Sequence, residues 1–221
     1  SVAFNWDDRL LAIGTMDGNV QLWDLATGET RFTFQGHTGG ATSLAFGAGG
    51  YLLAVGAGSG QVRLWDTASG EPSGMLQRHD TAVTSVAFQV DGFLVASGAA
   101  DGSLKVWDVA SAAEQPALAE PDAQTPIGSL AFSPDGTLLA AGSGNQIRLW
   151  DTATWTLQAG FETEISAISS VSFSPDGTAL VYGGADPAVW IWDLANSNQV
   201  LLDGHVGNVS ALAFSLNGGV I

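Results

Sequence analysis

"ASGAADGSLKVWD", residues 96–108, holds one serine in a strand-like run, two aspartates and a tryptophan, and His79 precedes it by seventeen residues. Serine, histidine and aspartate are the parts of a nucleophilic triad. The same stretch also has Asp101-Gly102 between two apolar runs, which is the signature of a tight β-hairpin. A triad is needed once, whereas a hairpin element can recur, so repetition decides between the two readings.

The stretch recurs. "DGNVQLWD" ends at Asp24, "SGQVRLWD" at Asp66, "DGSLKVWD" at Asp108, "GNQIRLWD" at Asp151 and "DPAVWIWD" at Asp193. The tryptophans Trp23, Trp65, Trp107, Trp150 and Trp192 are spaced 42, 42, 43 and 42 residues apart. Phe4, Phe46, Phe88, Phe132, Phe173 and Phe214, in "SVAF", "SLAF", "SVAF", "SLAF", "SVSF" and "ALAF", keep nearly the same period. Two independent markers with one period establish an internal repeat.

Each period reads as four short strands. "TSVAF" is one, "FLVASG" a second, "SLKVWD" a third, and a weaker fourth follows, as in "ETRFTFQ". "SPDG" at Ser133–Gly136 and Ser174–Gly177 puts proline second and glycine where a positive φ is wanted. One such sheet cannot bury both faces alone, and radial stacking of several solves that problem.

These residues resemble the WD40 repeats of a β-propeller, over nearly the whole chain. The Gly-His half of the motif is kept at Gly36-His37 and Gly204-His205 and in part at Arg78-His79; Ala123 and Glu164 stand in the histidine position elsewhere. The resemblance implies an all-β fold of four-stranded blades, five of them and the start of a sixth, over residues 1–221 with a partial repeat at 204–221. Because such propellers most often close with seven blades, the chain is expected to belong to a seven-bladed or larger propeller.

The resemblance also implies a hydrogen-bonded network in each repeat, made by the histidine, a strand serine, the hairpin aspartate and the tryptophan. His79, Ser97, Asp101 and Trp107 match it in full. The first repeat has Asp17 and Trp23 with Ile13 in the serine position. The second has His37 and Trp65 with Val55 and Ser59, the fourth little beyond Trp150, and the fifth Asp186 and Trp192 with Tyr182 for the serine. A structural role explains the tryptophan, whose buried indole N–H needs an acceptor. A catalytic serine needs an exposed Oγ and an oxyanion hole, which a mid-strand serine between packed sheets lacks. No catalytic residue is therefore expected.

Of 221 residues, 22 are acidic and six basic, for a net charge of -16. That opposes nucleic acid as a partner. No apolar run approaches the ~20 residues of a membrane helix, so direct membrane insertion is not expected. There are no cysteines, calcium-loop spacing or Gly-rich phosphate motif, so neither metal nor cofactor is expected. Arg63, Lys105 and Arg148 share one repeat position and read as scaffold. The irregular stretch 109–127 reads as a fourth strand weakened by Pro116, with a dedicated binding loop as the alternative.

Other proteins, or other parts of a larger assembly, are the expected partners. The resemblance places binding on the top-rim loops, here with Thr15, Met16, Thr38, Asp80, Thr81 and Val206, although these loops are poor in the Trp, Tyr and Arg of typical hot spots. Trp6 and Trp155 lie off the repeat pattern, in bottom-rim connections, and are further candidate anchors for a partner unless they pack under their own loops. The expected function is a non-enzymatic interaction scaffold in the cytoplasm. The alternative is a sensor or regulatory module of a larger signalling protein of nucleotide-switch or kinase type.

Overall fold

The computed structural model describes residues 1–76, 78–115, 125–215 and 217–221. The chain divides into two compact units, Ser1–Pro126 and Ile127–Ile221.

The first unit holds three antiparallel sheets, each a meander of consecutive strands. The first comprises β1 (Val2–Phe4), β2 (Leu10–Gly14), β3 (Val20–Asp24) and β4 (Glu29–Phe34). The second comprises β5 (Ala41–Phe46), β6 (Leu52–Ala57), β7 (Val62–Asp66) and β8 (Pro72–Leu76). The third has β9 (Val83–Phe88), β10 (Leu94–Ala99) and β11 (Leu104–Asp108). Beside β11 the described residues show one bridge, Trp107 to Glu114, and residues 116–124 of the expected fourth strand's stretch lie outside the described residues. The second unit holds β12 (Ile127–Phe132), β13 (Leu138–Ser143), β14 (Gln146–Asp151) and β15 (Leu157–Glu162) in one sheet. Its other sheet has β16 (Ile168–Phe173), β17 (Ala179–Gly184), β18 (Val189–Asp193) and β19 (Gln199–Leu202).

Within each unit one contact joins successive sheets. The penultimate or last glycine of a second strand receives an aliphatic pair, three residues apart, at the entrance of the next repeat. A Cβ on Gly56 would come within 2.5 Å of Val83 Cγ1 and 3.1 Å of Val86 Cγ1. Gly14 meets Ala41 and Leu44 in the same way, Gly142 meets Ile168 and Val171, and Gly183 meets Val209 and Leu212. The absent side chain lets two sheets approach closely, and the aliphatic pair fills the space.

A polar clasp accompanies this seat. The Val86 N–H donates to Ser43 Oγ at 3.0 Å, Val171 N–H to Ser129 Oγ at 3.1 Å and Leu212 N–H to Ser170 Oγ at 3.0 Å. Each of these serines is the first letter of an "S-x-x-F" marker, so the serine at one repeat holds the backbone of the next. The first strands carry a bulge that skips Thr42, Thr84, Gly128 or Ser169. The extra residue bends the strand. The Thr42 and Thr84 hydroxyls return to the carbonyls of Gly56 and Gly98, both at 3.0 Å.

Aromatic residues close the outer part of the same interfaces. Phe34 of β4 stacks on Trp65 with centroids 4.6 Å apart, and Phe161 of β15 meets Trp192 edge-on at 4.6 Å. Residues 205–215 form no strand, but Val209 is buried on the fifth sheet with its N–H on Gly184 O at 2.8 Å.

Replacing Gly56 with valine forces a new side chain into the Val83–Val86 pair, and overpacking of this kind costs about 1–3 kcal/mol. Gly74, whose added Cβ would meet Leu64 at an ordinary 3.9 Å, is the matched control. Urea unfolding of Gly56→Val is expected to show a lowered midpoint, and of Gly74→Ala a midpoint near the wild type. Equal midpoints for Gly56→Val and the wild type would remove the glycine seat from the account.

Candidate functional site

The third sheet brings together the most complete polar set. His79 and Ser97 are 1% and 0% exposed, one on the segment entering β9 and the other in the middle of β10. Asp101, Gly102 and Ser103 form the β10–β11 turn, with Gly102 at φ 86. Ser103 donates its hydroxyl to Asp101 Oδ1 at 2.7 Å. His79 Nδ1, 2.7 Å from Ser103 Oγ, must then be the donor to it. That tautomer leaves Nε2 to accept from Ser97 Oγ at 2.5 Å. The hydrogen-bonded chain runs Ser97 to His79 to Ser103 to Asp101.

Trp107 does not join it. The sequence-based expectation gave its indole N–H a place in the network, but among the described residues the buried Nε1 has no partner. The indole instead meets the His79 ring edge-on at 5.7 Å. The second sheet supplies the reason. There Val55 stands where Ser97 stands in the third, and Trp65 Nε1 donates to His37 Nε2 at 3.0 Å, while His37 Nδ1 bonds Gly18 O at 3.0 Å. A neutral imidazole has one acceptor nitrogen, which takes either the serine hydroxyl or the indole. Ser103, the bridge to Asp101, was not singled out from sequence because a serine after Asp-Gly reads as an ordinary turn residue.

The remaining repeats improvise. Trp23 Nε1 donates to Gln21 at 3.2 Å, and the buried Trp150 Nε1 has no partner among the described residues. In the fifth sheet Tyr182, 1% exposed, donates to Gln199 Oε1 at 2.5 Å. Burial, with a smaller contribution from Glu164, pushes its hydroxyl up to about 12. Asp186 accepts from Ser166 N at 2.9 Å.

The aspartates of the five Trp-Asp pairs have a different task. Each folds the following turn: Asp66 Oδ1 accepts from Ala68 N at 2.9 Å and Ser69 N at 2.7 Å, and Asp24, Asp108, Asp151 and Asp193 make similar bonds. Donors from Ser69, Ser111 and Thr154 hold the Asp66, Asp108 and Asp151 carboxyls below the usual carboxylate range. Four residues on, the chain needs a positive φ. Gly28 and Gly70 supply it at φ 71 and 77, and Trp155 occupies the same place at φ 55.

The rim residues divide by use. Thr15 donates to Asp17 and to Asn19 O, Thr38 O accepts from Ser59 N at 2.9 Å, and Thr81 Oγ1 accepts from Asp101 N at 3.1 Å. Met16, Asp80, Val206 and Trp6 are exposed, and Trp155 is half-buried. Lys105 pairs with Glu114 at 3.3 Å, and Arg63 and Arg148 donate to Gln61 and Gln146. Among the described residues no three His, Asp or Glu side chains gather as a metal site would require.

The histidines make stability depend on pH. Burial, reinforced by Lys105, lowers the His79 pKa to about 4, and burial lowers that of His37 as well. An exposed imidazole takes its proton near 6.5, so between about 6.5 and 4 the unfolded chain binds more protons than the folded one. Stability is constant in this respect above that window and falls as pH drops through it, by about 3 kcal/mol for His79. His79→Ala is expected to lower the melting temperature at pH 7.5, because the Ser97 and Ser103 hydroxyls lose their partner, and to flatten the decline between pH 6.5 and 4. A melt unchanged by the substitution would contradict the network.

A family model described as WD domain, G-beta repeat matches residues 1–24, 28–66, 70–108, 118–151 and 155–193. A chain from the crystal structure of a mitotic checkpoint complex is similar with a TM-score of 0.89 and 25% identity, over 99% of this chain and 70% of that one. Mitochondrial division protein 1 of Vanderwaltozyma polyspora is 54% identical over 39 residues, and that of Aspergillus oryzae 51% over the same length. Those stretches are 18% of this chain and only 6% of either relative. The fold is that of stacked β-propeller blades.

Proposed function

Because this chain belongs to the WD40 repeat family, a general protein-interaction scaffold fold, we propose that it acts as a non-enzymatic scaffold holding other proteins on the rims of its blades. The observation that supports this most is the use made of the one triad-like set. Ser97 points its proton at His79, which is the polarity a nucleophile and its base require, yet both are sealed from solvent between strands. A hydroxyl that no substrate can reach does no acyl transfer. The aspartates of the repeat are likewise occupied by turn N–H groups, which leaves exposed side chains such as Met16 and Trp6 as the groups free to meet a partner.

Two measurements test the reading together. Immobilised intact chain should retain a reproducible set of proteins from an extract of its source cells, above an unfolded control, and His79→Gln should retain the same set well below its melting temperature. Hydrolysis of activated esters should not differ between the wild type and Ser97→Ala. Ester hydrolysis abolished by Ser97→Ala, or retention no greater than the control's, would overturn the scaffold reading.

A further inference from the structure

The repeat supplies its own control for what a blade needs at each position, and one turn departs from it at two positions. The turn between the first and second strands reads "SPDGT" in both sheets of the second unit, at residues 133–137 and 174–178. It satisfies itself: Ser133 Oγ donates to Asp135 at 2.6 Å and accepts from Leu138 N at 2.9 Å, and Ser174 repeats the pattern with Asp176 and Ala179. The first unit puts large side chains at these places. Trp6 stands where Pro134 and Pro175 stand, and Tyr51 and Phe93 where Thr137 and Thr178 stand. All three are exposed, at 69%, 69% and 66%. The scaffold closes this turn without them.

Trp6 and Tyr51 line one cleft of about 330 Å³ between the first and second sheets, together with Arg9 and Arg31. The Tyr51 ring lies over Gly49 (φ 68), where an added Cβ would come within 2.6 Å of it. Arg31 lies 5.6 Å above the Phe32 ring and 3.5 Å from Ala68 O, and among the described residues it has no carboxylate within ion-pair distance. Two carboxylates line the same cleft and both are engaged: Asp24 holds its turn, and Asp7 accepts from Asn5 and faces Arg9 Nε at 3.6 Å, which leaves Arg31 as the cleft's unpaired cation among the described residues. Two of the six basic residues of a chain with net charge -16 thus flank two exposed aromatic faces. The counterpart cleft of the second unit, lined by Ser174, Pro175, Thr178 and Asn217, has no basic residue.

We infer that the Trp6–Tyr51 cleft binds an extended acidic peptide segment of a partner protein. An apolar side chain of the peptide lies between the two rings, and an aspartate or glutamate beside it meets the Arg31 guanidinium. Trp, Tyr and Arg are the residues that dominate interface energies, and a guanidinium fork is matched to a carboxylate. The volume takes one or two side chains and not a folded domain. This rests on the scaffold reading and names a place and a chemistry for it.

The probe is a phage library of random 12-residue peptides, selected on the intact chain. Enriched peptides, made with a fluorescent label, are then titrated in polarisation assays with the wild type, Tyr51→Thr and Arg31→Glu. Tyr51→Thr installs the residue the chain itself uses at Thr137 and Thr178, so the fold accommodates it. The expected result is a consensus pairing an acidic residue with an aromatic or aliphatic one, with affinity at least tenfold weaker in both variants and melting temperatures near the wild type's. Peptides that bind all three proteins equally, or a consensus without acid, would overturn the cleft assignment and leave the scaffold reading standing. So would failure to enrich any peptide while extract proteins are still retained; loss of both would remove the two together. Self-association in sedimentation that Tyr51→Thr abolishes would give the cleft to a second copy of the chain and overturn the peptide assignment.

Discussion

A four-stranded sheet whose second strand is apolar on both sides needs a neighbour on each face. In this chain the contact that meets the need is a glycine facing an aliphatic pair, Gly56 against Val83 and Val86 being the type. The glycine brings two backbones close enough for a serine of one sheet to accept an amide proton of the next, as Ser43 does from Val86. The bulge at Thr42 or Thr84 re-aims the first strand so that both contacts form at once. Burial at about 25 cal/mol per Å² supplies the drive, and the serine clasp fixes the register, because an amide left without an acceptor there costs about 1–3 kcal/mol.

The polar network follows from the same packing. His37 and His79 are each buried, and a neutral imidazole has one nitrogen that accepts. His79 gives it to Ser97 and His37 gives it to Trp65, so the two repeats satisfy different partners with the same ring. Burial holds both imidazoles below the usual histidine range, which makes the network a pH-dependent structural element. What the blades present outward is set by their turns, and those turns differ between the two units far more than the strands do.

Much of this was legible in the sequence. The spacing from Trp23 to Trp192 and the phase of the phenylalanines define the sheets, and the Asp-Gly pairs define hairpins that the structure contains. The role of Ser43 was hidden, because its partner lies 43 residues away and nothing local distinguishes an interface serine from a strand serine. The isolation of the Trp107 indole was hidden for a similar reason: donors and acceptors can be counted from sequence, but which of two donors wins one nitrogen depends on positions within an ångström. Trp155 was open to reading, since alignment with Gly28 and Gly70 marks its place as one of positive φ. The Tyr51 and Phe93 positions were open to it as well, once the "SPDGT" turns are taken as what the scaffold requires. The stretch around Pro116 lies outside the described residues.

The claim that sheets are joined by a glycine seat and a serine clasp is tested most directly by native-state hydrogen exchange of the Val86 and Val171 amides. Neither donates within its own sheet's ladder as its principal bond; both donate to a serine of the neighbouring sheet. They are expected to exchange as slowly as ladder amides of the same sheets, opening only with unfolding of the unit that holds them. Exchange at the rate of exposed turn amides would show that the sheets separate while intact, and would contradict it.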